Sequence, residues 1–474
     1  MHTEHTKRLL GAVACGGLLG VAAACHDFLS GPKLTENPNR PSASSADQRF
    51  IGVTVQTFAE FTGRYPLQLL PMYARQFAGV ARQWQTYARY SGAPTENDAD
   101  AAFIDTYARG GLVDIRFIQG VAEAAGNEKF QGIAEVYEGL RIGTAADLFG
   151  DIPYSEALTG DDPKLDPQAE VYAGVQTVLD HAITHLASGK GAGPTSIDFV
   201  YGNDAAKWTK AAHTLKARFL MHTSRAPGVD SNAVFQQVIA QAQSGIRAAA
   251  DDWTAVFTAT TGEQNLYYNF LNSRNGDIEP DQSFINTLNA GGFTTLLNQY
   301  FRPKTGCGTE IKGAEQGSSG GSCASELKIA QNTPMGIVTA AENEMLLAEA
   351  QFRAGQAPAA LTTLNDYRSA VGEPTLGALA GQPLLGAILT EKYVHLYLNP
   401  EVYFDLLRNC FPNISIPASA QRDYVPARLP YGFSERIANS NIPSVSAQPL
   451  ANANFPKRTT DVFGQSCASQ KDRP

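Results

Sequence analysis

Two aromatic clusters set among arginine, asparagine and glutamine are where this sequence could do chemistry. The first is R-Q-W-Q-T-Y-A-R-Y, with Arg82, Trp84, Tyr87 and Tyr90 ahead of the Ser91-Gly92 break. The second joins Trp253 to N-L-Y-Y-N-F, with Asn265, Tyr267 and Tyr268, followed by Arg274 and then Tyr300. Sugar rings have apolar C–H faces that stack on aromatic rings, and their hydroxyls need amide, carboxylate and guanidinium partners close by. These residues are therefore the candidate ligand contacts, with Trp84 foremost. Each aromatic taken alone serves core packing equally well.

Covalent chemistry has less to stand on. Gly317-Ser318-Ser319-Gly320-Gly321 fits G-x-S-x-G, but that motif needs a strand running into a helix, and this one lies in a Gly/Ser run between two cysteines. His181 and His185 at i and i+4 could face one metal ion, yet no third ligand is identifiable, so they read as surface histidines. Asp161, Asp162 and Asp166 lack EF-hand spacing and read as a solvated acidic loop rather than a calcium site. Glu342 and Glu349 share one side of a helix, but nothing nearby supplies a reactive partner, so solvated or salt-bridged structural glutamates are the expectation. No glycine-rich phosphate loop or dinucleotide fingerprint occurs. The sequence offers no catalytic set, no metal site and no cofactor.

The elements that must position the aromatics belong to an exported chain. Residues 1–24 have a short basic start, Lys7 and Arg8, then an apolar Gly/Ala-rich run from Leu9 to Ala24 that reads as a secretory signal, too short to favour a spanning helix. The run ends V-A-A-A-C, which resembles a lipobox, where a bacterial signal peptidase cuts and Cys25 becomes the lipidated N-terminus; Ala22 stands where Leu is commonest. An ordinary secretory signal with a free Cys25 is the alternative. Residues 25–46 follow as an extended Pro/Asn/Ser-rich tether. With 37 Lys+Arg against 46 Asp+Glu the formal charge is −9, and no basic cluster appears, which sets nucleic acid aside as a partner.

After Cys25 four cysteines remain, Cys307, Cys323, Cys410 and Cys467. An even number in an exported chain favours two disulfides, of which three pairings are open. Cys307 with Cys323 is preferred because it closes a flexible loop, and Cys410 with Cys467 because it pins the tail to a helix end; free thiols are the alternative.

Helical patterning dominates from residue 47: 47–62, 102–125, 129–149, 168–187, 204–224, 232–248, 337–354, 356–371 and 383–398, with no comparable series of strands. In the central stretch Phe130, Ile133, Tyr137, Leu140, Thr144 and Leu148 recur at helical spacing, predicting one buried stripe that ends at Gly150. Gly132, Gly139 and Gly143 inside that helix each cost about 1 kcal/mol relative to Ala, which predicts a closely packed neighbour. Helix pairs joined by short turns, such as those about Gly355-Gln356, suggest an all-α, tetratricopeptide-like curved scaffold. The expected organisation is a helical part over 47–250, a loop-rich ligand-binding part over 251–336, and helical pairs with an irregular tail over 337–474.

The central A-D-L-F-G-D-I-P-Y-S-E-A-L resembles the helix and turn of the SusD/RagB family of nutrient-binding outer-membrane lipoproteins. Four further stretches follow in that family's order: W-T-K-A-A-H-T-L-K-A-R-F-L from Trp208, I-V-T-A-A-E-N-E-M-L-L-A-E-A from Ile337, E-V-Y-F-D-L-L-R from Glu401, and P-A-R-L-P-Y-G-F-S-E from Pro426. The resemblance implies an all-α body, a non-catalytic irregular binding region for a glycan or peptide, a membrane attachment through the lipid, and a TonB-dependent transporter as partner. Asp147, Gly150, Asp151, Pro153 and Tyr154 then read as a structural hinge, not a reactive site. A glycan hydrolase, which would need two suitably spaced carboxylates, and a scaffold that binds only proteins are the competing readings.

Overall fold

The computed structural model describes residues 44–91, 94–160, 162–194, 198–471 and 473. The secretory signal, Cys25, all but the end of the tether, Gly92 and Asp161 lie outside the described residues. In chain order the first elements are α1 (Ala46–Phe61), α2 (Leu69–Tyr73), β1 (Phe77–Gly79), α3 (Arg82–Ala88), α4 (Glu96–Tyr107), α5 (Leu112–Ala124), α6 (Glu128–Phe149), α7 (Gln168–Ala187), α8 (Ala205–Thr223) and α9 (Ser231–Gln243). An excursion follows with β2 (Trp253–Ala255), α10 (Leu266–Ser273), β3 (Ile278–Pro280), α11 (Gln282–Ala290), α12 (Thr294–Tyr300), β4 (Phe301–Arg302), β5 (Glu326–Leu327) and β6 (Met335–Val338). The chain then returns to helices: α13 (Ala340–Arg353), α14 (Ala357–Ala370), α15 (Gly381–His395), α16 (Glu401–Asn409) and α17 (Phe433–Ala438).

Residues 49–474 form one unit, and its frame is a stack in which each helix from α5 to α9 packs on the next. Helix α13 packs directly on α9 and then on α14, so the stack continues across the excursion. The two ends of that excursion pair with each other: β2 runs antiparallel to β6, Trp253 opposite Val338. The chain therefore leaves and rejoins the stack at one place, and helix pairs carry the fold.

Helix α6 departs from the single buried stripe. Every residue from Gly132 to Phe149 is buried. The face that looks polar in sequence is satisfied inside the protein: Glu138 accepts from Gln119 at 2.7 Å and from Tyr154 Oη at 3.0 Å, Arg141 donates to Thr57 and pairs with Glu60, and Asp147 meets His222 and Tyr172. Burying such groups is tolerable only when they are paired. The glycines do sit against close neighbours. A Cβ on Gly143 would fall 2.3 Å from the Phe219 ring of α8, and one on Gly139 2.6 Å from Leu179 of α7.

Three expected helices change. The run 102–125 is two helices, because Gly110 takes φ +89° and a Cβ there would strike the Gly52 carbonyl at 2.8 Å. Residues 337–338 belong to β6, whose ladder to β2 claims their backbone, and α9 stops at Gln243. Short helices α3, α10 and α16 escape the periodicity because each spans fewer than three turns.

Candidate ligand-binding site

Strand pairing explains how the two aromatic neighbourhoods meet. β1 runs antiparallel to β3, Phe77 opposite Pro280 and Gly79 opposite Ile278. Since α3 follows β1 and α10 precedes β3, the pairing sets α3 beside α10. Both stretches, loop-like in sequence, are helical turns. The Trp84 ring meets Phe270 edge-on at 5.1 Å, and Arg82 and Arg274 converge on the buried Asp277, Arg274 Nε at 2.7 Å.

A disulfide joins Cys307 to Cys323 and another joins Cys410 to Cys467. The loop closed by the first lies on α3, where Arg89 Nε donates to the Gly317 carbonyl at 2.7 Å and Gln85 Nε2 to that of Ser318 at 2.6 Å. The G-x-S-x-G run is part of this loop, with no strand or helix to build a nucleophile turn.

A pocket of about 190 Å³ opens where α10, β3, β4 and β5 meet, and Tyr268, Asn272, Asn275, Glu279, Arg302 and Lys304 line it. Among the described residues the Asn272 and Asn275 amides hold no hydrogen-bond partner, so they remain available to a ligand. Glu279 is half-buried, and that burial raises its carboxyl above the ordinary range against the opposing pull of the Gly321 N–H and Lys304. The wall thus mixes one aromatic, two amides, two carboxyls and two cations, Arg302 being paired with Glu326 at 2.9 Å, which suits a hydroxyl-rich or amide-bearing ligand.

Of the residues singled out in the sequence, Tyr268 alone lines this pocket. Arg82, Tyr87 and Arg274 keep solvent contact nearby on α3 and at the end of α10. Trp84, Tyr90, Trp253, Asn265, Tyr267 and Tyr300 are buried, and in this conformation none offers a free face to a sugar. The physical reason differs for each. Trp84 is covered by Phe77, Tyr87 and Phe270, and Tyr267 packs on Phe77. Tyr90 packs on Tyr73, and Trp253 joins the core against Tyr137 at 4.8 Å and Trp208 at 4.9 Å. Tyr300 stacks on Tyr397 at 4.1 Å, and Asn265 caps α10 through its side-chain oxygen. Asn272, Asn275, Glu279, Arg302 and Lys304 went unread in the sequence, where the polar L-N-S-R-N-G run after the tyrosines was the available sign.

A larger hollow, about 330 Å³, lies between the start of α4 and the tail at Pro426–Pro430. Glu96 is engaged with Arg436 and Gln448 and Arg428 Nη1 with the Pro449 carbonyl, whereas Arg428 Nε and Nη2 hold no hydrogen bond. Proline rings and Leu450 form much of the remainder. The smaller pocket is the candidate because α10, one of the two aromatic neighbourhoods of the sequence, forms its wall.

Other sequence candidates have structural roles. His185 pairs with Glu135 at 2.8 Å, while His181 is exposed. Asp166 accepts from the backbone of Tyr154 and Ser155, and Asp162 from Ser440. Glu342 and Glu349 are buried ion-pair partners of Arg218 and Arg408. Trp208 is core, its indole N–H bound to Asp198 at 2.8 Å.

A stack of helix pairs presenting a polar pocket on a loop-rich excursion defines a binding scaffold, and no described helix is long and apolar enough to cross a membrane. Residues 38–374 match the SusD-like family described as starch-binding and associating with the outer membrane, and the chain belongs to that family. Solved structures agree in fold. A SusD/RagB family protein from Bacteroides thetaiotaomicron has 22% identity and a TM-score of 0.70 over 88% of this chain and 98% of its own. A chitin-binding SusD homologue from Flavobacterium johnsoniae has 17% identity and a TM-score of 0.67 over 86% and 99%. No curated protein matches the chain.

Proposed function

We propose that this protein is an outer-membrane lipoprotein, anchored through Cys25, that captures an oligosaccharide or a peptide at the cell surface and passes it without covalent change to a TonB-dependent transporter. The observation that carries the reading is the pocket of Tyr268, Asn272, Asn275, Glu279, Arg302 and Lys304. Family membership supports a glycan as the ligand, as do structural neighbours described as chitin-binding. Tyr268 supplies the stacking face, and the amides and charged groups take the hydroxyls or acetamido groups.

A screen of chito-oligosaccharides, malto-oligosaccharides and peptides by isothermal calorimetry tests this. Saccharide or peptide binding that Tyr268→Ala weakens supports the reading, and shortened saccharide products would instead reveal a hydrolase. The burial of Trp84, Trp253 and Tyr300 favours a second reading, a scaffold that binds only proteins, which predicts no small-ligand heat at all.

A further inference from the structure

At the end of α15, Glu391 and His395 stand at i and i+4 and so share one helix face. Glu373, from the loop between α14 and α15, reaches the same point. His395 Nε2 lies 3.1 Å from Glu391 Oε1 and 3.3 Å from Glu373 Oε1, and one ligand atom from each of the three residues falls within 4.8 Å of the others. For a tetrahedral ion with bonds of about 2.0–2.1 Å the edge between two ligands is roughly 3.3 Å, so the spacing is that of a metal's coordination sphere.

Buried atoms without an aligned hydrogen bond remain inside what is otherwise an ion-pair group, in which Arg368 pairs with both carboxylates and His395 faces both. The Glu391 side chain is 1% exposed, yet its Oε1 accepts no hydrogen bond, and His395 Nε2, on a ring 10% exposed, makes none. The nitrogen is within reach of both oxygens but aligned with neither. A buried carboxylate oxygen without a donor is costly, and an ion between the three atoms satisfies it. The other oxygens of both carboxylates face Arg368, which bonds Glu391 Oε2 and lies 3.2 Å from Glu373 Oε2, its Nε fixed on the Pro374 carbonyl at 2.7 Å. Arg368 thus orients a ligand from outside, as partners of metal-bound groups do.

We propose that Glu373, Glu391 and His395 bind a divalent transition-metal ion of the zinc type. One imidazole nitrogen with two carboxylates suits zinc and its neighbours, whereas calcium and magnesium take oxygen alone. Three protein ligands leave a fourth position for water. The ion ties that loop to α15, remote in sequence from the saccharide pocket and independent of it.

The test uses the full chain purified without a polyhistidine tag, stripped with EDTA and titrated with zinc, with metal content read by mass spectrometry after gel filtration. One zinc per chain is expected, with the visible absorption of four-coordinate cobalt when cobalt replaces it. Glu373→Gln and His395→Gln should weaken binding by about 100-fold or more, while His181→Gln leaves it unchanged. Zinc should also raise the thermal midpoint of the native chain and not that of Glu373→Gln. Glu373 is on a surface loop, so that variant remains informative even where His395→Gln fails to fold. A native chain that retains no zinc overturns the proposal, and so does full retention by Glu373→Gln.

Discussion

A Trp84→Ala substitution would remove a ring that touches Phe77, Tyr87 and Phe270 and is 1% exposed. Deleting a buried aromatic of that size costs about 3–5 kcal/mol through lost transfer energy and the cavity left behind. The expected outcome is a lower midpoint in urea, with ligand affinity of the folded fraction nearly unchanged. Tyr268→Ala should do the reverse. Its ring is half-buried on the pocket wall, its hydroxyl held by Gln331 Nε2 at 3.1 Å. Losing one stacking face should weaken saccharide binding about tenfold, or ~1.4 kcal/mol, with little change in stability. Calorimetry and denaturation on both variants separate the roles. Lost affinity with intact stability in Trp84→Ala would return that residue to the binding surface.

Four of the five stretches that resemble family motifs meet in one buried network joining α6, α8, α13 and α16. His222 of α8 stands between Asp147 of α6, at 2.9 Å from Nδ1, and Glu401 of α16, at 3.1 Å from Nε2. One turn earlier Arg218 pairs with Glu342 of α13 at 2.5 Å and reaches Glu401 at 3.5 Å. Burial opposes the imidazolium, but Asp147 and Glu401 outweigh it and raise its pKa from 6.5 to about 9. Below pH 6.5 both folded and unfolded chains hold the proton, and the stabilisation is complete; between 6.5 and 9 only the folded chain keeps it, and the stabilisation is lost. The unfolding free energy should fall across that window by on the order of 3 kcal/mol, and His222→Gln should remove that part of the slope. Urea titrations at a series of pH values measure it, and a wild-type profile flat from 6.5 to 9 would mean that the folded chain holds His222 neutral. Three of the helices bearing this network, α6, α8 and α13, were legible because apolar spacing sustained over nearly four turns or more marks them, whereas α16 is too short to show it. Its polar face was not, since Glu138, Arg141 and Asp147 look solvated until Gln119, Glu60 and His222 are seen beside them. The pocket was half legible for a related reason. The tyrosine that lines it and the tryptophan that is buried carry the same sign in sequence, and Phe270, which decides between them, is far along the chain.

At the scale of the whole unit, the tail returns to the stack it follows. Gln470 Nε2 donates to the carbonyls of Leu406 and Leu407, Asn452 Nδ2 to that of Asp147, and the Leu429 N–H to that of Leu148. These amides satisfy carbonyls at the ends of α16 and α6, where a helix leaves its last acceptors open. The Pro, Asn and Ser that make the tail look irregular say nothing of which helix ends it covers. The two disulfides therefore do unequal work. Cys410–Cys467 closes 57 residues and is buried at both ends, whereas Cys307–Cys323 closes 16 on a partly exposed loop. Chain entropy alone assigns about 4 kcal/mol to the first and about 3 to the second. Replacing the first pair with alanine also leaves a hole beneath the tail, so Cys410→Ala with Cys467→Ala should lose more stability and expose the tail to limited proteolysis. Cys307→Ala with Cys323→Ala should instead loosen the loop that Gln85 and Arg89 hold beside the pocket, and weaken ligand binding more than it lowers the midpoint. Equal loss of stability in the two double variants, with the tail uncut in both, would show that its hydrogen bonds hold it without the disulfide.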